Sequence, residues 1–469
     1  MRNPSKILSS TLVLALLCLA APAYSMGARA SKDSYHLQSL KTLASKGGVT
    51  PERLEEFWFS LAKEPRTRES AAKCVSEIAP STRARDAFLD CVGERGSVAL
   101  SGDLGHALFV LRSKLVQSTP TRETLRTLSL VTWTEDLVRE AQRRTGRSAS
   151  WLQRGKGYLK GSAKTDFDFQ DGDVVVGLGD SSISSLISQI TNTPSRYSHA
   201  FIVRKRAGKI TTVESLVETG VREFPLSHLL KDPYNQLTVL RWKDNASRAR
   251  IAARASNWAA GVATRKAPYD MKMDFSEDHA IYCSELIVKA YAKATGLKPK
   301  DLVRYQSRID SQRVFKFANL LGVSNTVFFS PGDLFNSPYF EVVADYRKPG
   351  DLMKAWELYL MGDLFIERLE SGYKVTPGPI FTTVPMAVWL GQLLPSTFHE
   401  DARLIPRSIG PYAMSVMATT QIWIYDHALE DLKRSLGTRS LLEHPPWKMR
   451  GELERSMNRH MVIRESFSR

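Results

Sequence analysis

The sequence is short of the signatures that mark the commoner enzyme chemistries. It has no Gly-rich phosphate loop, since Gly177-Leu178-Gly179 is too short a match. His399-Glu400 lacks the second histidine at helical spacing that would put two imidazoles on one helix face, which argues against a zinc hydrolase. No G-x-S-x-G turn surrounds Ser284, so a serine nucleophile of that kind is set aside. Internal repeats and low-complexity tracts are absent, and no nucleic-acid-binding motif accompanies the dispersed basic residues. Acidic side chains are outnumbered, with 49 Asp and Glu against 65 Lys and Arg and a formal charge of +16. That balance suits an anionic neighbour such as phospholipid, lipopolysaccharide or peptidoglycan, or a plain solvated basic surface. Cysteine is scarce, at four residues in 469.

What is present is an ordinary globular composition, 43% hydrophobic and 24% charged, long enough for two or three domains with sizeable cores. Residues 1–25 read as a secretory signal. Arg2 and Lys6 supply the charged start, Ile7 to Ala21 the apolar run, and Ala23-Tyr24-Ser25 the small residues before a cut near Met26. The mature protein is therefore expected to be exported, to the periplasm or beyond the cell. Removing that segment takes Cys18 with it and leaves Cys74, Cys91 and Cys283, an odd number in an oxidising compartment. Cys74 and Cys91 lie in helical patterns either side of Ala79-Pro80-Ser81, and a disulfide between them needs their Cα atoms within about 7 Å. If they pair, Cys283 is the thiol left over.

Residues 34–150 read as a helical N-terminal domain, with Thr50-Pro51-Glu52 and Thr119-Pro120-Thr121 as helix starts. The pattern changes at Phe167. Residues 165–348 read as one α+β domain with segregated strands and helices. Its first strand follows Asp171-Gly172-Asp173 at Val174-Val175-Val176, its second is His199 to Val203, and its third is Lys209 to Ser215. Further strands are expected at Leu237 to Trp242 and near Phe340 to Val343, with helices at Ser181 to Ile190 and Ser247 to Val262. Residues 351–440 return to a helical pattern. The prolines around its apolar stretch Ile380 to Leu394 argue for a core or interfacial helix rather than a membrane span. Residues 441–469 read as a charged, peripheral tail.

The chemistry is sought at Ala280-Ile281-Tyr282-Cys283-Ser284-Glu285-Leu286, where an apolar approach meets a cysteine at the start of a helix running to Thr295 and stopping at Gly296. Unpaired backbone N–H groups and the helix dipole there favour a thiolate. A base is sought in the hairpin around Arg206-Ala207-Gly208. A four-residue loop, Lys205 to Gly208, sets His199 opposite Glu214, whereas a three-residue loop sets it opposite Ser215. Either gives the imidazole a polar partner, and a carboxylate would hold it best.

Taken together, Asp171-Gly172-Asp173-Val174-Val175, Ser198-His199-Ala200-Phe201-Ile202-Val203, Val213-Glu214-Ser215 with Gly220-Val221, and Tyr269-Asp270 ahead of Tyr282-Cys283-Ser284-Glu285-Leu286 carry a family resemblance. They resemble the circularly permuted branch of the papain-like NlpC/P60 superfamily, the YiiX-like proteins, in which the histidine strand precedes the cysteine helix. The resemblance implies a permuted papain-like domain with an antiparallel sheet. It also implies Cys283 as nucleophile, His199 as general base, Glu214 as the orienting residue and Asp173 as a structural anchor, with Tyr269, Tyr282 and Ser215 beside the site. Phe201 stands where that family usually has a small residue. The expected activity is cysteine hydrolysis of amide bonds in cell-envelope peptides, without a cofactor or metal. Acyl transfer or lipid and ester hydrolysis, as in the similar lecithin:retinol acyltransferase-like enzymes, is the alternative on the same fold. A non-catalytic envelope scaffold is the reading from another class. The sequence leaves the oligomeric state open.

Overall fold

The computed structural model describes residues 166–377 with short gaps, 151–153, 157–159, single helical positions between 109 and 139, 411–437 and 446–468. The signal segment, Cys74, Cys91 and the stretch Ile380 to Leu394 lie outside the described residues. The only free cysteine among the described residues is Cys283.

The described residues are organised around an antiparallel sheet built from β1 (Trp151–Gln153), β2 (Gly157–Leu159), β3 (Val174–Leu178), β4 (His199–Arg206), β5 (Lys209–Leu216), β6 (Gly220–Pro225), β7 (Gln236–Trp242) and β10 (Phe340–Arg347). Their order is β2-β1-β10-β7-β3-β4-β5-β6. A separate two-strand ribbon pairs β8 (Ser307–Arg308) with β9 (Val327–Phe328). The β-branched run Val174-Val175-Val176 makes a central strand buried on both faces, as its uninterrupted apolar character requires. Asp173 fixes where that strand starts. Its carboxylate accepts two hydrogen bonds of 2.7 Å from Arg241 on β7 and one of 2.8 Å from the Gln170 N–H. β1, β2 and β6 are strands that the sequence pattern did not single out.

The period-two alternation of the strands separates two cores. Ala200 and Ile202 on β4 join Val213, Val221 and Leu240 against the helices α2 (Arg248–Thr264) and α3 (Cys283–Thr295). Phe201 and Val203 face the other way, with Val175, Val239, Tyr234, Phe167 and Trp151. The alanines at 252, 255, 259, 260 and 263 line the buried side of α2 and let it approach α3 closely.

A third core belongs to the C-terminal helices. α4 (Gln312–Leu320) and α5 (Leu352–Glu370) bury Phe317, Trp356, Met361 and Phe365, and α5 also packs on α1 (Ser182–Gln189). Of the stretch expected as a peripheral tail, residues 446–468 are described and are not peripheral. Within the helix Pro446–Arg459, Met449, Leu453 and Met457 recur every fourth position, and together with Ile463 and Phe467 they are fully buried in this core. A stripe one residue wide threads a charged sequence, so composition concealed it.

Charged residues also cross between layers. Arg112 and Arg139 pair with Asp345 on β10 at 2.9 and 3.1 Å. Arg196 and Arg347 pair with Asp136 at 2.9 and 3.1 Å, all of them buried. These pairs tie helical positions between 109 and 139 to the sheet. Among the described residues no helix is long and apolar enough to cross a membrane.

Candidate active site

Cys283 is the first residue of α3. Tyr282, just before it, is extended, and its N–H donates to Glu285 Oε2 at 3.0 Å, closing the helix start with a side chain three residues on. Three further bonds fix this corner. Ser215 donates to the Ile281 carbonyl at 2.5 Å, Ser284 to the Phe329 carbonyl at 2.6 Å, and the Phe329 N–H to the Tyr282 hydroxyl at 3.2 Å. Ser284 is thus committed and buried. At the other end Gly296, in the left-handed region at φ 78°, stops the helix.

His199 opens β4. Its Nε2 lies 3.2 Å from Glu214 Oε2, and Glu214, with no exposed surface, takes a second bond on Oε1 from the Thr212 hydroxyl at 2.6 Å. The hairpin reaches this arrangement by a register that differs from both sequence expectations. The loop has two residues, Ala207 and Gly208, with Arg206 opposite Lys209, so Phe201 rather than His199 is directly opposite Glu214. Both expected loops were too long. His199 meets the carboxylate diagonally, two positions along the same face, a separation that long side chains span. Ser215, one residue further, points to the opposite face by the same alternation and holds the approach to the cysteine instead.

With Nε2 committed to Glu214, Nδ1 is the ring nitrogen left for the thiol, and the imidazole and the thiol act on each other's ionisation. Burial opposes ionisation of Cys283. The His199 imidazole, with the backbone N–H groups of Ala200 and Ser284, favours the thiolate enough to outweigh burial and hold the thiol below its ordinary pKa. Burial alone would likewise depress the imidazole, but Cys283 and the hydrogen-bonded Glu214, with their negative charges, raise His199 from 6.5 to about 10. Both shifts favour a thiolate–imidazolium pair near neutral pH. Tyr269 adds a buried phenol whose ionisation responds to the same sulfur. Burial and then the Cys283 charge push its phenol well above 10, so it stays protonated.

Asp270 bonds the N–H groups of Lys272 and Asp274, folding the loop that carries Tyr269 into place. Glu285, buried two residues after Cys283, is pushed up to about 7 by burial, against the opposing pull of Lys289 at 2.9 Å. Thr212 and the Tyr234 ring near His199 are site residues that sequence reading missed. A threonine two positions before the carboxylate on the same strand face is the only signal that pointed to the first. Among the described residues no cluster of His, Cys, Asp or Glu is arranged to hold a metal ion.

Residues 168–343 match the family model described as permuted papain-like amidase enzyme, YaeF/YiiX, C92 family. Among solved structures, the metalloprotein YiiX from Escherichia coli O157:H7 aligns over 39% of this chain and 99% of its own, at 24% identity and a TM-score of 0.31. No curated protein matches the chain. The segment 168–343 belongs to the permuted papain-like YaeF/YiiX family, and the domain built on it is a papain-like cysteine hydrolase.

Proposed function

We propose that Cys283, His199 and Glu214 act as nucleophile, general base and orienting carboxylate of an exported amidase that cuts peptides of the cell envelope through an acyl-enzyme. The observation that carries this reading is one imidazole held between a buried carboxylate and the thiol at a helix N-terminus. The thiolate attacks the amide carbonyl carbon. The oxyanion forms beside the unpaired N–H of Cys283 at the helix start, a kind of donor worth roughly 2.7–4 kcal/mol. As the C–N bond breaks, the His199 imidazolium gives its proton to the leaving amine, and a thioester remains on Cys283. Water, losing a proton to His199, then releases the acid and regenerates the thiolate. Residues 1–25 support export, and the charge of +16 suits an envelope rich in anionic polymers.

The test is the mass of the adduct on Cys283 after separate incubation with peptidoglycan fragments and with phospholipid vesicles, trapped by acid quench. A peptidyl adduct from the first is expected. A fatty-acyl adduct from the second, with none from the first, would replace the amidase reading by lipid hydrolysis or acyl transfer.

A further inference from the structure

On β3, the residue directly opposite His199 is Gly177, and on its other side Gly177 faces Leu237 of β7. The missing side chain leaves a space in the sheet face beside the imidazole, and the ring of Tyr234 occupies it. A Cβ added at Gly177 would stand 3.0 Å from Tyr234 Cδ1 and 3.1 Å from Leu237 Cδ2, tighter than ordinary van der Waals contact. Tyr234 is buried, and its ring lies 5.7 Å from that of His199 with only 8° between the planes. Phe201, directly opposite Glu214, completes the group at 6.1 Å from both rings. The ring's position is set by the next residue, since the Asn235 N–H bonds the Leu178 carbonyl at the end of β3.

We infer that Tyr234 is a positioning residue for the catalytic imidazole: seated in the space Gly177 leaves, its ring stacks on His199 and keeps water from the His199–Glu214 bond. Parallel stacking restricts rotation of the imidazole away from the thiol. The negative face of the ring attracts an imidazolium more than a neutral imidazole. Exclusion of water strengthens the bond to the carboxylate in the same sense. All three effects favour the charged pair, so losing the ring returns the thiol toward its ordinary pKa.

This rests on the reading of Cys283 and His199 as the reacting pair, and the test therefore reads thiol chemistry rather than turnover. Iodoacetamide alkylation of Cys283 in the full-length protein is followed by mass from about pH 5 to pH 10. Tyr234→Phe should keep the wild-type profile. Tyr234→Leu should move the thiol limb upward and slow alkylation near pH 6 by about two- to fivefold, the range of a single cation–π contact. Gly177→Ala, which keeps the tyrosine but displaces its ring, should shift the limb in the same direction on its own. The double variant should be no worse than Tyr234→Leu, because both changes remove one interaction. A wild-type profile in Tyr234→Leu or in Gly177→Ala would overturn the proposal, as would additive effects in the double variant. An unchanged profile in His199→Ala would instead remove the reacting pair itself.

Discussion

Replacing Glu214 by glutamine separates the charge of the third residue from its shape. The side chain has no exposed surface, and its two oxygens are engaged by His199 at 3.2 Å and Thr212 at 2.6 Å. Glutamine keeps the volume and one carbonyl oxygen for Nε2–H, and its amide can donate to the Thr212 oxygen, so the strand pairing should hold. What is lost is the charge on the bond. A hydrogen bond to a charged partner contributes about 1.5–3 kcal/mol against about 0.5–1.5 for the neutral one that glutamine keeps, a difference of about 1–1.5 kcal/mol, and at 1.36 kcal/mol per unit this is roughly one pKa unit. The imidazole, raised to about 10 in the wild type, should then titrate at roughly 9. The thiol limb should rise correspondingly, since each member of the pair stabilises the charge of the other. The ion pair would thus occupy a narrower pH window from both sides. NMR of 13C-labelled histidine reads the upper limb, with the His199 signal identified by its loss in His199→Gln, and alkylation of Cys283 reads the lower. Glu214→Gln curves superimposable on the wild type would refute the assignment of Glu214 as the orienting carboxylate.

Three further outcomes follow from the same contacts. Thr212→Val keeps the shape but leaves Glu214 Oε1 without its donor inside the sheet, which should cost about 1–3 kcal/mol in urea unfolding; an unchanged midpoint would show that another group satisfies that oxygen. Ala207, at φ 47° in the two-residue hairpin loop, is held in the left-handed region, so Ala207→Gly should raise stability by roughly 1 kcal/mol, and a loss would contradict the tight turn. Arg241→Met strands the buried Asp173 carboxylate, a change expected to cost about 3–5 kcal/mol near neutral pH. Burial already raises the pKa of Asp173, so that penalty should shrink as acid protonates it; a deficit independent of pH would count against an uncompensated charge.

The elements of the catalytic domain were legible where local pattern and burial agree. The β-branched run at 174–176 and the helix bounded by Tyr282 and Gly296 lie where hydrophobic period and capping chemistry place them. The hairpin shows where such reasoning stops. Alanine is a poor residue for a turn needing positive φ at both central positions, yet the pairing of the flanking strands holds Ala207 there. The polarity of the face survived the four-residue-loop reading because the observed register moves Glu214 two positions along β4, from His199 to Phe201, and an even shift keeps His199 and Glu214 on one side. Contacts between distant segments left no local trace. Nothing near Tyr234 announces that it stacks on a histidine 35 residues earlier, and Arg112, Glu135 and Asp345 look like surface residues until the layers bury them together.

The most direct test of the central claim is the pH dependence of Cys283 alkylation in the wild type and in His199→Ala, with the labelled residue located by peptide mass. In the wild type, Cys283 should react readily near pH 6, where an ordinary thiol is almost wholly protonated. In His199→Ala that reactivity should disappear and return only as the pH approaches the range of an unassisted thiol. Equal labelling of the two proteins near pH 6 would contradict an imidazolium-stabilised thiolate, and with it the reading of His199 as the base.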